Sequence, residues 1–289
     1  YKNFTDFSFM VKYLDDMLRE GPWFRAIGKP IEDAQKVSAS IGQEMHEKMF
    51  IKMRELQVDP HVMSGKKLSI GPNNDRMTLA KMAVIYLEHG RGDPRMVNDA
   101  QLQALIQSNP ADAEAFPAVM EYVRGNNEHS QAIKQYAELM RWAYDYAYDI
   151  ADRTYFAVHQ KHMNRVHNYV PQMREDGMWS ANDPYRDLMS VDASSRVFRD
   201  ALEPISMSQR TQIKGSQIRI DEPHRTLLDH MTAVANYAGK AEAVLRVRSI
   251  LNDTNVKEAL MHHHRGAGRH IWHSLNEMVS GEMMPTGRM

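Results

Sequence analysis

The feature that most constrains this fold is a long amphipathic helix that runs towards a proline. From about Ser130 to His167, stripe residues recur at gaps of three and four, which places them on one helix face: Ile133, Ala137, Met140, Tyr144, Ala147, Ala151, Thr154 and Val158. Pro171 lacks a backbone donor and disfavours the helical conformation at Val170. We therefore predict a long helix that stops at a Tyr169–Pro171 junction, where both residues are architectural and Tyr169 packs back under the helix.

The composition favours helices elsewhere in the chain as well. Gly and Pro number only 15 and 12, and the straight-chain helix formers outnumber Val and Ile. We predict an all-α fold, a multi-helix bundle with long helices and an irregular arm between two helical parts. The expected parts are an N-terminal helical part at 1–167, a connecting arm at 168–222 and a C-terminal helical part at 223–289.

The spacing of apolar residues and the positions of helix-breaking residues predict where the other helices of this bundle begin and end. Asn74 or Asp75 is expected to cap one helix, and Asn252 or Asp253 another. Ile218 alternates with polar neighbours, which predicts a short strand or an extended arm. The further expected helices lie at about 4–19, 31–56, 77–89, 98–107, 111–124, 223–251 and 252–260, and a last one includes 271–279.

Charge and cysteine content narrow the function classes. The formal net charge is −1, from 36 basic and 37 acidic residues, so any binding of nucleic acid must come from a local patch. The chain contains no cysteine, which excludes disulfides and thiolate metal sites. No apolar run reaches the roughly 20 residues of a membrane helix, so no transmembrane segment is predicted.

The usual enzyme motifs are missing from the sequence. It has no phosphate loop ending in Lys-Ser or Lys-Thr, no Gly-x-Ser-x-Gly and no His-Glu-x-x-His. The acidic pair Asp15-Asp16 is expected on a helix surface without a partner. We therefore predict a protein that is not an enzyme, with no catalytic residue and no cofactor.

Histidines near the C-terminus offer a competing interpretation. His262, His263 and His264 precede His270 and His273, and the last two are spaced so that they can share a helix face, as ligands of zinc or nickel do. A metal-dependent enzyme is one hypothesis for this cluster. A helix end whose cationic side chains favour the helix dipole is the other. His159, His162 and His167 are similarly expected at a solvated helix end.

A basic stretch offers a second alternative. Arg210, Lys214 and Arg219 lie in the segment 209–219, which contains no acidic residue. Such a stretch can neutralise phosphates, which makes these three residues the candidate nucleic-acid contacts of a DNA-binding module. Three basic residues are also common on any protein surface.

Three stretches in a fixed order resemble a known group of proteins. The first runs from Met77 to Gly90 and is followed by Asp93 and Arg95. The second is the aromatic helix that leads into Asn168-Tyr169-Val170-Pro171. The third contains Gln209-Arg210-Thr211, Ile218-Arg219-Ile220-Asp221, the helix Pro223–Leu251 and the helix pair Asn252–Val279. Together they cover about residues 30–280 and resemble a helical region of very large multidomain phage proteins, namely polyvalent proteins and internal virion proteins.

This resemblance implies a function but no active site. It implies a structural segment of a virion protein that is packaged in the particle and delivered into the host cell on infection. The task would be assembly of the genome-ejection apparatus, with other virion proteins or further copies of the chain as partners and contact with DNA as an option. The chain starts at Tyr1 without a methionine, so we expect either a trimmed chain or one unit of a longer protein.

Overall fold

Helices dominate the computed structural model, which confirms the predicted all-α class. The structure describes residues 7–16, 21–70, 75–89, 110–163, 173–174, 218–219, 223–263 and 267–280. The expected helix at 98–107, Tyr169 and Pro171 lie outside these residues. The described helices are α1 Phe7–Leu14, α2 Lys29–Glu55, α3 Pro60–Gly65, α4 Leu79–His89, α5 Pro110–Arg124, α6 Ser130–His159, α7 Pro223–Asn252, α8 Thr254–His263 and α9 Ala267–Ser280.

Four short strands accompany the described helices. Strands β1 (Lys67–Ile70) and β2 (Asp75–Thr78) form an antiparallel pair, with Lys67 opposite Thr78. Strands β3 (Met173–Arg174) and β4 (Ile218–Arg219) form a second pair, with Met173 opposite Arg219. The strand predicted around Ile218 is thus present. A π-helical turn, Phe24–Gly28, leads into α2.

Helices α2 and α7 form the framework of the described part of the chain because each contributes to both hydrophobic cores found there. The larger core contains the second half of α2, the first half of α7, and α4 to α6. The smaller core joins α1, the start of α2, the second half of α7, and α8 and α9. Each core therefore unites the N-terminal and C-terminal segments of the chain. None of the described helices combines the length and the apolar character that crossing a bilayer requires.

Helix α6 ends earlier than the sequence predicts. Its last residue is His159 rather than His167, because Gln160 adopts a left-handed conformation with φ of 55° and donates its backbone N–H to Phe156 O. The carboxylate of Asp152 then accepts the backbone N–H of Met163 at 2.7 Å, which turns the chain back along the helix. The helix therefore stops before the Tyr169–Pro171 junction, and the proline does not set its end.

Local side-chain bonds correct two further expectations. Strand β2 includes Asp75, so Asp75 does not cap α4; Thr78 does, accepting the N–H of Lys81 at 3.1 Å. Asp15 is not on the surface, because it is 4% exposed and accepts the backbone N–H groups of Trp23 and Phe24, where the π-helical turn begins. Helix α8 is capped by Asp253, one of the two residues that the sequence offers as its cap. The Asp253 carboxylate accepts the backbone N–H groups of Asn255 and Val256.

Candidate functional site: a groove between α2 and α7

A surface groove of about 530 Å³ separates the solvent-facing sides of α2 and α7. Its volume lies in the range of natural binding sites. The residues around it are small or polar, apart from one aromatic ring at the rim: Ser38, Ala39, Gly42, Gln43, His46, Glu47 and Phe50 from α2, with Thr232, Ala235 and Asn236 from α7.

The groove exists because small residues let the two helices approach each other. Gly42 lies opposite Ala235, where an added Cβ would be 3.6 Å from the alanine methyl. One turn further along α7 from Ala235, an added Cβ on Gly239 would lie 2.5 Å from the backbone of Ser38. Helices that meet through glycine and alanine leave no long side chains to fill the space above the contact, so a groove remains.

A buried polar cluster lies at the base of the groove. Ser38 donates its hydroxyl to Asn236 Oδ1 at 2.9 Å, and Lys240 donates its ammonium to the same oxygen at 2.6 Å. Ser38 and Lys240 are only 6% and 5% exposed. Buried hydrogen bonds with a charged donor are stronger than neutral ones, and they fix one relative position of two helices. The cluster therefore sets the register between α2 and α7 and the shape of the groove.

Helix α2 carries an unusual amount of exposed apolar surface. Phe50, at the rim of the groove, is 56% exposed, and Ile51 and Val37 are 57% and 51% exposed. Single exposed apolar residues are common. Of these three, only Phe50 lines the groove, whereas Val37 and Ile51 lie on the side of α2 that carries Glu44. Such a surface suits contact with another protein.

Two charged side chains of α2, Glu44 and Lys48, are held in place by α6. Lys48 donates to Glu44 at 2.6 Å and to the hydroxyl of Tyr146 at 3.0 Å, and its ammonium lies 4.9 Å from the centre of the Tyr146 ring. The hydrogen bond and charge of Lys48 lower the pKa of Glu44, and Glu44 and Tyr146 raise the pKa of Lys48. Trp142 stacks on Tyr146 with ring centres 5.4 Å apart. Glu44 and Lys48 therefore already have partners within the fold, which include Tyr146 of α6.

Two titratable pairs lie between α6 and α7. His230 is 1% exposed, and burial lowers its pKa to about 4. The edge of its ring meets Tyr144, with ring centres 5.2 Å apart. Nearby, the hydroxyl of Tyr136 lies 3.5 Å from Nδ1 of His224. Burial raises the pKa of Tyr136, and burial and then the charge of His61 lower the pKa of His224. All these pKa shifts favour the neutral forms of these side chains at pH 7.

The end of α6 is ordered by contacts of its histidines. Asp152 binds His162 Nδ1 at 2.8 Å, and the His162 ring stacks on Phe156 with centres 4.6 Å apart. His159 lies against Tyr155, whose ring also receives the ammonium of Lys161 at 5.7 Å. The two histidines face solvent, as the sequence predicts for a helix end, and they pack on aromatic rings of the last turn.

The predicted metal residues are exposed wherever the structure describes their side chains. His262 lies on α8, and His270 and His273 lie on α9, all at the surface. The His263 side chain and His264 lie outside the described residues. Within the described part of the chain, no three His, Asp or Glu side chains converge on one point. His273 instead packs edge-on against Trp272, with ring centres 4.9 Å apart.

The predicted nucleic-acid contacts and the junction fall mostly outside the described part of the chain. Arg210 and Lys214 lie outside it, as do Tyr169 and Pro171. Arg219 is described through its backbone only, in strand β4. These interpretations therefore stay predictions.

The groove and its polar base are features that the sequence analysis missed. One signal pointed to them: Lys240 interrupts the apolar stripe of α7, three residues after Tyr237 and four before Val244, both of which are buried. A lysine on a buried face needs an acceptor. The sequence does not show that this acceptor is Asn236, one turn earlier on the same helix, or that Ser38 shares it.

Comparisons with known proteins find no match to this chain. No protein-family model matches the chain, and neither a curated protein nor a solved structure matches it.

Proposed function

We propose that this chain is a non-catalytic helical assembly segment of a large phage virion protein. It is packaged in the particle, where it takes part in building the apparatus that ejects the genome, and it enters the host cell on infection. Its partners are other virion proteins or further copies of itself.

The observation that carries the assembly role is the surface of α2. Phe50, Ile51 and Val37 expose more than half of their surface, and Phe50 borders an open groove. Apolar and aromatic side chains of this kind provide the anchors of protein interfaces. The phage assignment is supported by the ordered sequence resemblance over residues 30–280.

Buried polar side chains support a structural role for the rest of the segment. Asp15 holds the turn between α1 and α2, and Lys240 and Ser38 join α7 to α2 through Asn236. Each of these groups has its hydrogen bonds inside the fold, where it fixes the relative position of helices. A segment of this design presents a defined surface for assembly.

The proposal is tested by locating the chain in particles. Virions of the phage that encodes it are purified on a density gradient, and peptides from the 289 residues are quantified by mass spectrometry relative to the capsid protein. We expect these peptides to co-purify at constant stoichiometry and to resist protease until the particles are opened. Absence from gradient-purified particles, or digestion in intact particles, overturns the proposal.

A further inference from the structure

The first turn of α7 carries a histidine that meets two other helices. This residue, His224, is partly buried, and the hydroxyl of Tyr136 on α6 lies 3.5 Å from its Nδ1. His61 of α3 lies close enough for its charge to act on the same ring. We call these three residues the His224 cluster. It joins helices from both ends of the chain at the start of α7.

The His224 cluster suits a neutral imidazole. Nδ1 of a neutral ring can accept the hydroxyl proton of a tyrosine. The Tyr136 side chain is 0% exposed, and burial raises its pKa, so the hydroxyl keeps its proton. This contact links α6 to the start of α7 while His224 stays uncharged.

Three features of the cluster oppose a charge on His224. Its ring is partly buried, His61 brings a second imidazole, and the free N–H groups of the first turn form the positive end of the helix dipole. Burial, and then the charge of His61, lower the pKa of His224. Acid therefore places like charges between α3 and α7, and it removes the acceptor of the Tyr136 hydroxyl.

Carboxylates near the cluster in the sequence have to be considered as partners of a charged His224. Asp59 accepts the backbone N–H of the histidine on α3 at 2.9 Å. Asp229 lies 3.9 Å from Arg225 on the same helix. Asp221 and Glu222 precede α7 and lie outside the described residues. The response of the chain to acid therefore also tests whether any of these carboxylates neutralises the cluster.

We propose that the His224 cluster is a proton-operated latch, which holds the first turns of α7 on α6 and α3 at neutral pH and releases them in acid. The smaller hydrophobic core contains none of these three residues, so it stays closed when the latch opens. Opening is confined to the start of α7, where it meets the larger core. The inference goes beyond the assembly role proposed above and does not depend on it.

The first experiment follows hydrogen exchange of the full chain by mass spectrometry from pH 7 to pH 5, with rates corrected for the intrinsic pH dependence of exchange. The amides at 227–229 bond to the carbonyls of the first turn of α7. We expect them to lose roughly tenfold in protection, because one proton taken up on opening changes the equilibrium by up to about tenfold per pH unit. The amides at 271–279, in the smaller core, should keep their protection. An equal loss there would show global unfolding, to which His230 contributes, and would overturn the latch.

The second experiment changes the charge at position 61, which is exposed. His61→Gln removes the charge and should reduce the acid loss of protection at 227–229, because His224 then gains its proton against less opposition. His61→Arg keeps a positive charge and should retain the loss of the wild type. The matched control is His159→Gln, which changes an exposed histidine that packs on Tyr155 of α6 and should leave the profile unchanged.

A third variant removes the proton acceptor of the latch itself. His224→Gln has no proton to gain between pH 7 and pH 5, so protection at 227–229 should no longer depend on pH in this range. If this variant does not fold, the two substitutions of the exposed His61 decide the question on their own.

The outcomes separate the latch from other causes. A flat profile at 227–229 in the wild type overturns it, as a carboxylate paired with charged His224 would produce. A loss that persists in His224→Gln overturns it too, as does an equal loss in His61→Gln and His61→Arg. If the chain is absent from purified particles, the proposed virion function fails and the latch is unaffected.

Discussion

Gly239 of α7 lies directly against the backbone of Ser38 on α2, at the point where this helix pair passes from one hydrophobic core to the other. An added Cβ at Gly239 would be 2.5 Å from both the Cα and the N of Ser38. Backbone atoms cannot move aside as the end of a side chain can. The helix pair that shapes the groove therefore depends on the absence of a side chain at this position.

We expect Gly239→Ala to destabilise the protein in spite of the higher helix propensity of alanine. The methyl group must push α7 away from α2, and overpacking of this kind costs about 1–3 kcal/mol. Urea denaturation followed by circular dichroism measures the change. Gly65→Ala is the control, because an added Cβ at Gly65 meets nothing within 4 Å. Equal stability of Gly239→Ala and the wild type would contradict the close approach.

We expect Asp15→Ala to loosen the junction between α1 and α2. The two carboxylate oxygens of Asp15 accept the N–H groups of Trp23 and Phe24 at 3.0 and 2.6 Å. Loss of these buried bonds should cost about 1–3 kcal/mol in the free energy of unfolding. Asp33→Ala serves as the control, since it removes only exposed ion pairs and should change stability by less than about 1 kcal/mol. A smaller loss for Asp15→Ala than for Asp33→Ala would be inconsistent with the capping role.

We expect His230 to make the fold acid-sensitive. Burial lowers its pKa in the folded chain to about 4, below the value of about 6.5 in the unfolded chain. Between these values the unfolded chain binds more protons, so the free energy of unfolding falls as the pH drops from 6.5 towards 4 and is insensitive to this group above 6.5. The loss from this group should reach about 3 kcal/mol near pH 4.

The contribution of His230 is isolated by comparing the wild type with His230→Gln in urea melts at several pH values. Glutamine has no proton to gain in this range, so the variant should lose less stability than the wild type between pH 6.5 and 4. His224, whose pKa is also lowered by burial, keeps part of the acid sensitivity in the variant. Parallel pH profiles for the two proteins would show that His230 does not titrate as proposed.

The long helices could be predicted because their apolar stripes extend over many turns. Helix α7 begins at Pro223 and ends at Asn252, within one residue of the expected range, and Asp253 caps the next helix as predicted. The hairpin of β1 and β2 was missed because strands of four residues are too short to reveal a period of two. The end of α6 was misplaced because it depends on a side chain, Asp152, that binds a residue 11 positions later.

The groove could not be predicted from the sequence for a different reason. It depends on the register between α2 and α7, and the bond that fixes this register joins Ser38 to Asn236, 198 positions apart. Apolar spacing shows which side of each helix is buried, but not how far one helix is shifted along the other.

We expect Trp272 to contribute strongly to stability because it joins three helices. Its indole N–H, on α9, donates to the carbonyl of Leu251 at the end of α7 at 2.8 Å, and the ammonium of Lys257 on α8 lies 4.3 Å from the ring centre. Trp272→Phe keeps an aromatic ring but leaves the buried carbonyl of Leu251 without this donor. The cost should be about 2–3 kcal/mol in the free energy of unfolding, from the lost hydrogen bond and the smaller ring.

Trp142→Phe on α6 is the control, since the Trp142 ring stacks on Tyr146 near the surface. This variant should lose less than about 1.5 kcal/mol in the free energy of unfolding. Equal destabilisation by the two substitutions in urea melts would show that the bond to Leu251 does not hold α9 against α7.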